Sequence, residues 1–336
     1  MVLNNDYIKD LVFKPTADSF ENNALAVFNF QYEHNKVYRQ FCELLKIIPG
    51  EIDSIKKIPF LPIQFFKTKN IGKDGEAAEV IFESSGTTGS VNSRHFVKQV
   101  AVYEESFLKG FDIFYGDVSQ YCIIGLLPSY LERSNSSLVY MVNRLIKESN
   151  DESSGFYLHD LEKLYKQLII NEQSGKKTLL IGVTYALLDF AEQFSMTLKN
   201  TIVMETGGMK GRRQEITRED AHQILKQRLG IDVVHSEYGM TELLSQAYSD
   251  GKGIFNCPPW MKILIRAEDD PFEIIHSGDI LTKYNAGAIN IIDLANINSC
   301  AFIATDDVGK LYPNRSFEIV GRLDNSDIRG CGLMLL

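Results

Sequence analysis

The sequence predicts an α/β protein: a largely parallel sheet flanked by helices, with a smaller β subdomain toward the C-terminal side. Two observations lead there. From residue 78 onward, β-like runs at 79–82, 122–127, 178–183, 201–204 and 231–234 are each followed by a turn and a helix-like stretch. That rhythm is expected of parallel strands joined by helical crossovers. After Gly251 the β-like runs 261–265, 289–294, 301–304 and 317–320 follow one another without long helices between them, which predicts a separate β-rich portion.

The remaining elements follow in order. Residues 24–45 place apolar side chains at helical spacing and close at Pro49-Gly50, so the first 75 residues read as a helical cap on the main domain. Crossover helices are expected at 136–146 after the Pro128 turn, at 185–194, and at 218–229 with Gly230 as its stop. The organisation expected is a helical cap and α/β core over 1–250, then a β subdomain with a hinge-like tail over 251–336. Residues 60–67 (FLPIQFFK) read as core packing, with the wall of an apolar pocket as the alternative.

Composition excludes several classes. The 336 residues are 44% hydrophobic and 24% charged with a net charge of -9, an ordinary globular balance. Lys and Arg are scattered, so no nucleic-acid partner is expected. The start MVLNNDYIKD lacks a secretory signal and no apolar run is long enough for a membrane span, which points to the cytoplasm. Cys42, Cys122, Cys257, Cys300 and Cys331 are odd in number and form no C-x-x-C pair, an argument for free thiols. Spacing gives no support to a metal site on Cys257 and Cys300, and leaves the question open.

Two segments carry chemistry. Ser84-Ser85-Gly86-Thr87-Thr88-Gly89-Ser90 follows the β-like Val80-Ile81-Phe82. Glycines let backbone approach a polyphosphate, and hydroxyls with main-chain N–H groups donate to its oxygens. No G-K-[ST] ends the segment, so it is not a Walker loop. A plain polar turn is the alternative. The second segment, His235-Ser236-Glu237-Tyr238-Gly239-Met240-Thr241-Glu242, follows the apolar run 231–234, at a strand end where open α/β sheets hold ligands. There Thr241 offers a hydroxyl to a phosphate, Glu242 a carboxylate to Mg2+ and Tyr238 an aromatic face to a base. The alternative is a helix N-terminus capped by Ser236 or Thr241. His235 reads as structural, and no other histidine shows ligand spacing.

With both segments in this order, the sequence resembles the acyl-adenylating superfamily of acyl-CoA synthetases and luciferases. Thr305-Asp306-Asp307-Val308-Gly309 resembles that superfamily's T-G-D-L-G, and Gly321-Arg322-Leu323-Asp324 its G-R-x-D hinge. The resemblance implies an adenylate-forming N-terminal domain in which Asp307 binds the ribose hydroxyls and Arg322 contacts nucleotide. The chain stops at Leu336, so the resemblance implies the lack of the usual mobile C-terminal domain and its catalytic lysine.

With Met204-Glu205-Thr206-Gly207-Gly208-Met209-Lys210-Gly211-Arg212-Arg213, Ser236 to Glu242 and a cysteine near the end, the chain is similar to the acyl-protein synthetases of bacterial bioluminescence over roughly 55–336. That resemblance implies ATP-dependent activation of a carboxylic, typically fatty, acid as acyl-AMP. Transfer to Cys331 follows, and then delivery to an acyl-accepting reductase or transferase protein. The implied site is Cys331, Thr241 and Glu242 for catalysis, with Glu242 on Mg2+. Ser84, Ser85, Gly86, Thr87, Thr88, Gly89, Gly207, Gly208, Glu237, Tyr238, Gly239, Met240, Asp307 and Arg322 would surround ATP. Cys331 in Arg329-Gly330-Cys331-Gly332 reads as an accessible thiol beside a cation, with a buried structural thiol as the alternative. The other readings are a ligase acting on coenzyme A or another small thiol, and a non-catalytic nucleotide-binding subunit.

Overall fold

A computed structural model describes residues 12–13, 19–85, 91–128, 132–207, 216–275 and 283–323. The chain forms two compact units. The first takes the described residues up to Phe107, Met240–Gln246 and the described residues from Cys257 on; the second takes Leu108–Gly239 and Ala247–Asn256. Each unit draws on both sides of position 250, where the sequence suggests one cut.

The second unit holds the expected parallel sheet. Its strands run in the order Gly155–Phe156, Cys122–Leu126, Thr178–Val183, Thr201–Thr206 and His235–Tyr238, with Ala247–Ser249 antiparallel at the end. Every residue of Cys122–Leu126 and Thr178–Val183 is buried, as strands covered on both faces require. The helices Ser137–Ser149, Leu161–Ser174, Thr184–Gln193 and Arg218–Leu229 lie between these strands in sequence. Ser136, Asp160 and Thr217 cap three of them by accepting from Val139, Lys163 and Asp220 N–H. Gly230 ends the last at φ 58°, a conformation that disfavours any residue with a Cβ. The α/β expectation holds, and the 178–183 strand and 218–229 helix fall where the sequence places them.

Two strands differ from expectation. The fifth parallel strand is His235–Tyr238 rather than 231–234. Asp232 and Val233 of the apolar run lie exposed just after the Gly230 cap. The polar Ser236 and Glu237 can be buried instead because the neighbouring strand supplies Glu205 and Thr206 as partners. Val80–Glu83, in turn, lies outside the parallel sheet. It forms an antiparallel pair with Arg94–Val97, from Val80↔Val97 to Glu83↔Arg94.

The first unit is built on an antiparallel sheet in which Phe317–Arg322, Phe302–Leu311, Asn285–Asp293 and Met261–Arg266 are successive neighbours. Leu61–Pro62 adds to Phe302–Leu311 in parallel. The N-terminal helices Phe20–His34 and Lys36–Leu44 pack through Phe28 and Tyr38 on Phe302, with ring centroids 6.3 and 6.1 Å away. Phe60 meets the same ring at 6.2 Å, and Phe66 is fully buried, so these two of the run's three aromatics serve the core. Among the described residues no helix is long and apolar enough to cross a membrane.

Candidate active site

The Ser/Thr/Gly segment leaves a hairpin whose mouth is closed by serines. Ser84 N–H donates to the Ser93 carbonyl at 3.0 Å, and Ser93 N–H donates to Ser84 Oγ at 2.9 Å. Ser84 is buried and Ser85 exposed. Ser84 thus fastens the hairpin mouth, since its hydroxyl already accepts from the backbone. Gly86, Thr87, Thr88 and Gly89 lie outside the described residues, as do Gly208 and Cys331.

At the carboxyl end of Thr201–Thr206, Glu205 organises the next strand. Ser236 Oγ donates to its Oε1 at 2.9 Å and Thr184 Oγ1 to its Oε2 at 2.7 Å. Arg218 Nε and His222 Nε2 stand 3.7 and 3.5 Å from Oε1. Burial alone would raise this carboxyl, but His222, Arg218 and Thr184 outweigh it and hold it at about 2. Beside it Thr206 Oγ1 donates to Glu237 Oε2 at 2.5 Å. Gly207 follows at φ 69°, and Tyr238 faces Phe255 with centroids 5.8 Å apart. His235 contacts the Tyr115 hydroxyl through Nδ1 at 3.2 Å, and burial lowers its pKa. The second motif therefore begins inside a strand, fixed by its ladder to Met204 and Glu205 on one side and to Ala247, Tyr248 and Ser249 on the other.

After exposed Gly239 and half-buried Met240 the backbone leaves the sheet. Residues 241–246 form an irregular turn, so neither Ser236 nor Thr241 caps a helix. Thr241 is half-buried and Glu242 fully buried. Buried backbone polar groups need partners, and side chains supply them here. His95 Nδ1 lies 2.8 Å from the Thr241 carbonyl, and Asn296 Nδ2 donates to the Glu242 carbonyl at 2.8 Å. Leu244 and Ser245 N–H donate to Asp293 Oδ2 at 2.8 and 3.1 Å, and Ser245 Oγ donates to Oδ1 at 2.6 Å. Burial pushes the Asp293 carboxyl up to about 6, against the lowering effect of these donors.

Asp307 and Arg322 meet across adjacent strands as ladder partners. Arg322 Nε lies 3.4 Å from Asp307 Oδ1, and its other arm 3.4 Å from Asp306 Oδ2. Gln64 Nε2 donates to Asp306 Oδ1 at 2.5 Å. Gly321 and Arg322 are thus strand residues, and the tail after Leu323 lies outside the described residues.

Among the described residues no group of three His, Cys, Asp or Glu side chains is placed to hold a metal ion. Burial pushes the Cys42 and Cys300 thiols up to about 12 and the Cys257 thiol higher still.

The acyl-protein synthetase family designated LuxE has a family model that matches residues 8–336. This chain belongs to that family. Among curated proteins it is 24% identical to the long-chain-fatty-acid–luciferin-component ligase of Vibrio harveyi, over 98% of this chain and 92% of that one. LuxE-family membership makes the chain a ligase of ATP-dependent acyl activation.

Solved structures agree on the fold. Over 74% of this chain it is similar to ATP-bound MatB from Rhodopseudomonas palustris, at 14% identity and a TM-score of 0.52. Over 94% it is similar to a 2-hydroxyisobutyryl-CoA ligase holding its acyl-AMP and CoA, at 10% identity and a TM-score of 0.60. The chain spans about half the length of MatB, 49%, and 75% of the second ligase.

Sequence reasoning missed Glu205, Arg218, His222, His95, Asp293 and Asn296. Two had a usable signal: Glu205 and Asp293 are lone carboxylates inside the apolar runs TIVMET and NAGAINIID, and such a charge must find partners to be buried.

Proposed function

We propose that this LuxE-family ligase activates a carboxylic acid of the long-chain fatty class as acyl-AMP and then transfers the acyl group to its own Cys331. A carboxylate oxygen attacks the α-phosphorus of ATP and pyrophosphate leaves. The Cys331 thiolate then attacks the acyl carbonyl, a thioester forms, and AMP leaves.

The observation that carries the reading is the turn at 241–245, where Thr241 and buried Glu242 sit on a backbone held by His95, Asn296 and Asp293. Thr241 orients the α-phosphate there, and Ser84 and Ser85 open the loop that follows the other phosphates. Glu242 would hold the Mg2+ that accompanies ATP, an ion that would offset charge on the phosphates. One buried carboxylate fits an ion that arrives with ATP better than a resident one. In the first unit Asp307 would take the ribose and Arg322 would contact the nucleotide, as the family resemblance implies.

The raised thiols of Cys42, Cys257 and Cys300 are poor nucleophiles at neutral pH, which favours an acceptor elsewhere in the chain. The thioester is handed to a reductase or transferase protein, in the cytoplasm where ATP is supplied.

The test is acid-dependent ATP–pyrophosphate exchange, joined to mass spectrometry of the intact protein. Thr241→Ala and Glu242→Gln should each slow exchange by on the order of 10²-fold. Cys331→Ser should still exchange yet accumulate no hydroxylamine-labile adduct. Wild-type exchange without any protein adduct would assign the acyl group to a small thiol instead.

A further inference from the structure

We infer that His95 and Asn296 act as a pair of positioning residues for adenylation, gripping the consecutive carbonyls of Thr241 and Glu242 so that the two side chains face ATP in a fixed geometry. The inference rests on the function proposed above.

The grip comes from two separate stretches of the first unit. His95 lies on Arg94–Val97, the strand that returns from the Ser/Thr/Gly loop. Its ring meets Phe66 edge-on with centroids 5.6 Å apart. Burial pushes its pKa down to about 4, so at neutral pH the ring is uncharged. A carbonyl 2.8 Å from Nδ1 then requires the proton on that nitrogen.

Asn296 ends the short helical turn Leu294–Asn296. Its own carbonyl accepts from Gln31 Nε2 at 2.8 Å, and Gln31 Oε1 accepts from Ala301 N–H at 3.0 Å. Asp293 starts the same turn by accepting from Ala295 N–H at 3.2 Å. One turn therefore holds the Glu242 carbonyl through Asn296 and the Leu244 and Ser245 N–H groups through Asp293. His95 ties the loop-bearing hairpin to the Thr241 carbonyl.

Stability by itself is a poor reason for these residue types. His95 Nε2 and Asn296 Oδ1 are buried with no hydrogen-bond partner among the described residues, and a half-satisfied buried polar side chain costs stability. What each side chain gains is one donor aimed at one carbonyl of the segment that carries Thr241 and Glu242. A displacement of about 1 Å at reacting groups lowers rates by on the order of 10²-fold. A grip of this kind thus acts on turnover more than on substrate affinity.

The experiment measures acid-dependent pyrophosphate exchange and thermal unfolding of the full chain. His95→Phe keeps a ring against Phe66 and removes the donor, His95→Asn restores a donor near the Nδ1 position, and Asn296→Leu removes the second grip. For His95→Phe and Asn296→Leu the expected result is kcat lower by on the order of 10²-fold, with the acid KM changed by less than about threefold. His95→Asn should recover most of that loss. Exchange at the wild-type rate in His95→Phe would overturn the inference. So would a loss in His95→Asn equal to that in His95→Phe, or loss that merely follows the unfolding temperature in all three. If the wild type itself exchanges with no acid, the adenylation reading falls and the inference with it, an outcome separate from those seen only in the variants.

Discussion

One continuous motif is held in two different ways, each organised by a buried carboxylate. In the second unit Glu205 receives Ser236 and Thr184 and lies beside Arg218 and His222, so the Arg218 charge and these hydrogen-bonding neighbours stabilise its charge and its pKa falls to about 2. In the first unit Asp293 receives two backbone N–H groups and one hydroxyl of the 244–245 segment, and burial raises it to about 6. The ladder already fixes His235–Tyr238 on both sides, and Glu205 reinforces it. Residues 241–245 have no ladder, so a few side chains replace one. Position is redundant in the first case and rests on single residues in the second, which is why substitutions should differ in reach.

The largest contrast should come from removing each carboxylate. Asp293→Ala leaves buried N–H groups without an acceptor and should cost roughly 3 kcal/mol, with exchange activity lower by on the order of 10²-fold. Glu205→Ala should also destabilise, by about 2 kcal/mol, yet slow exchange by less than about tenfold because the ladder keeps the strand in register. Chemical unfolding and exchange assays on both variants decide this. Equal losses of activity would erase the distinction between the two modes of support.

The two carboxylates should also respond to pH with opposite sign. Asp293 has a folded pKa of about 6 above its ordinary 3.8. Its contribution to stability is therefore fully present below 3.8 and lost as pH rises through about 6. Glu205 has a folded pKa of about 2 below its ordinary 4.5; its contribution is present above 4.5 and lost as pH falls toward about 2. Urea midpoints between pH 4 and 7 should therefore lose a component that falls with rising pH in Asp293→Asn, and keep it in Glu205→Gln. The smallest expected effect is at the hairpin mouth. Ser84→Ala removes one acceptor from Ser93 N–H and should cost about 1 kcal/mol, with a modest rise in the KM for ATP measured by exchange.

Much of the fold was legible because periodicity and capping are local properties. The Thr178–Val183 strand and the Arg218–Leu229 helix with its Gly230 stop stand where the pattern places them. The His235–Tyr238 strand was illegible for a physical reason. Its polar residues look like surface until Glu205 and Thr206 from a strand about thirty residues earlier satisfy them, while the apolar 231–234 run offers a better local pattern. The hairpin at Val80–Glu83 was misassigned to the parallel sheet for a related reason, since a strand's pattern does not name its neighbour.

By itself the sequence determined the α/β class, the family, and the residue types at Thr241, Glu242, Asp307 and Arg322, since these rest on composition, local pattern and motif order. Tertiary structure alone decided how those residues are held. It sets His95 and Asn296 on adjacent carbonyls, pairs Asp307 with Arg322 across two strands, and places an arginine beside one buried carboxylate and only neutral donors on the other. The reason is range: periodicity and capping act within a few residues, whereas a buried donor, acceptor or charge is satisfied by groups that the chain brings in from 49 positions away, as for Leu244 and Asp293, or 146, as for His95 and Thr241.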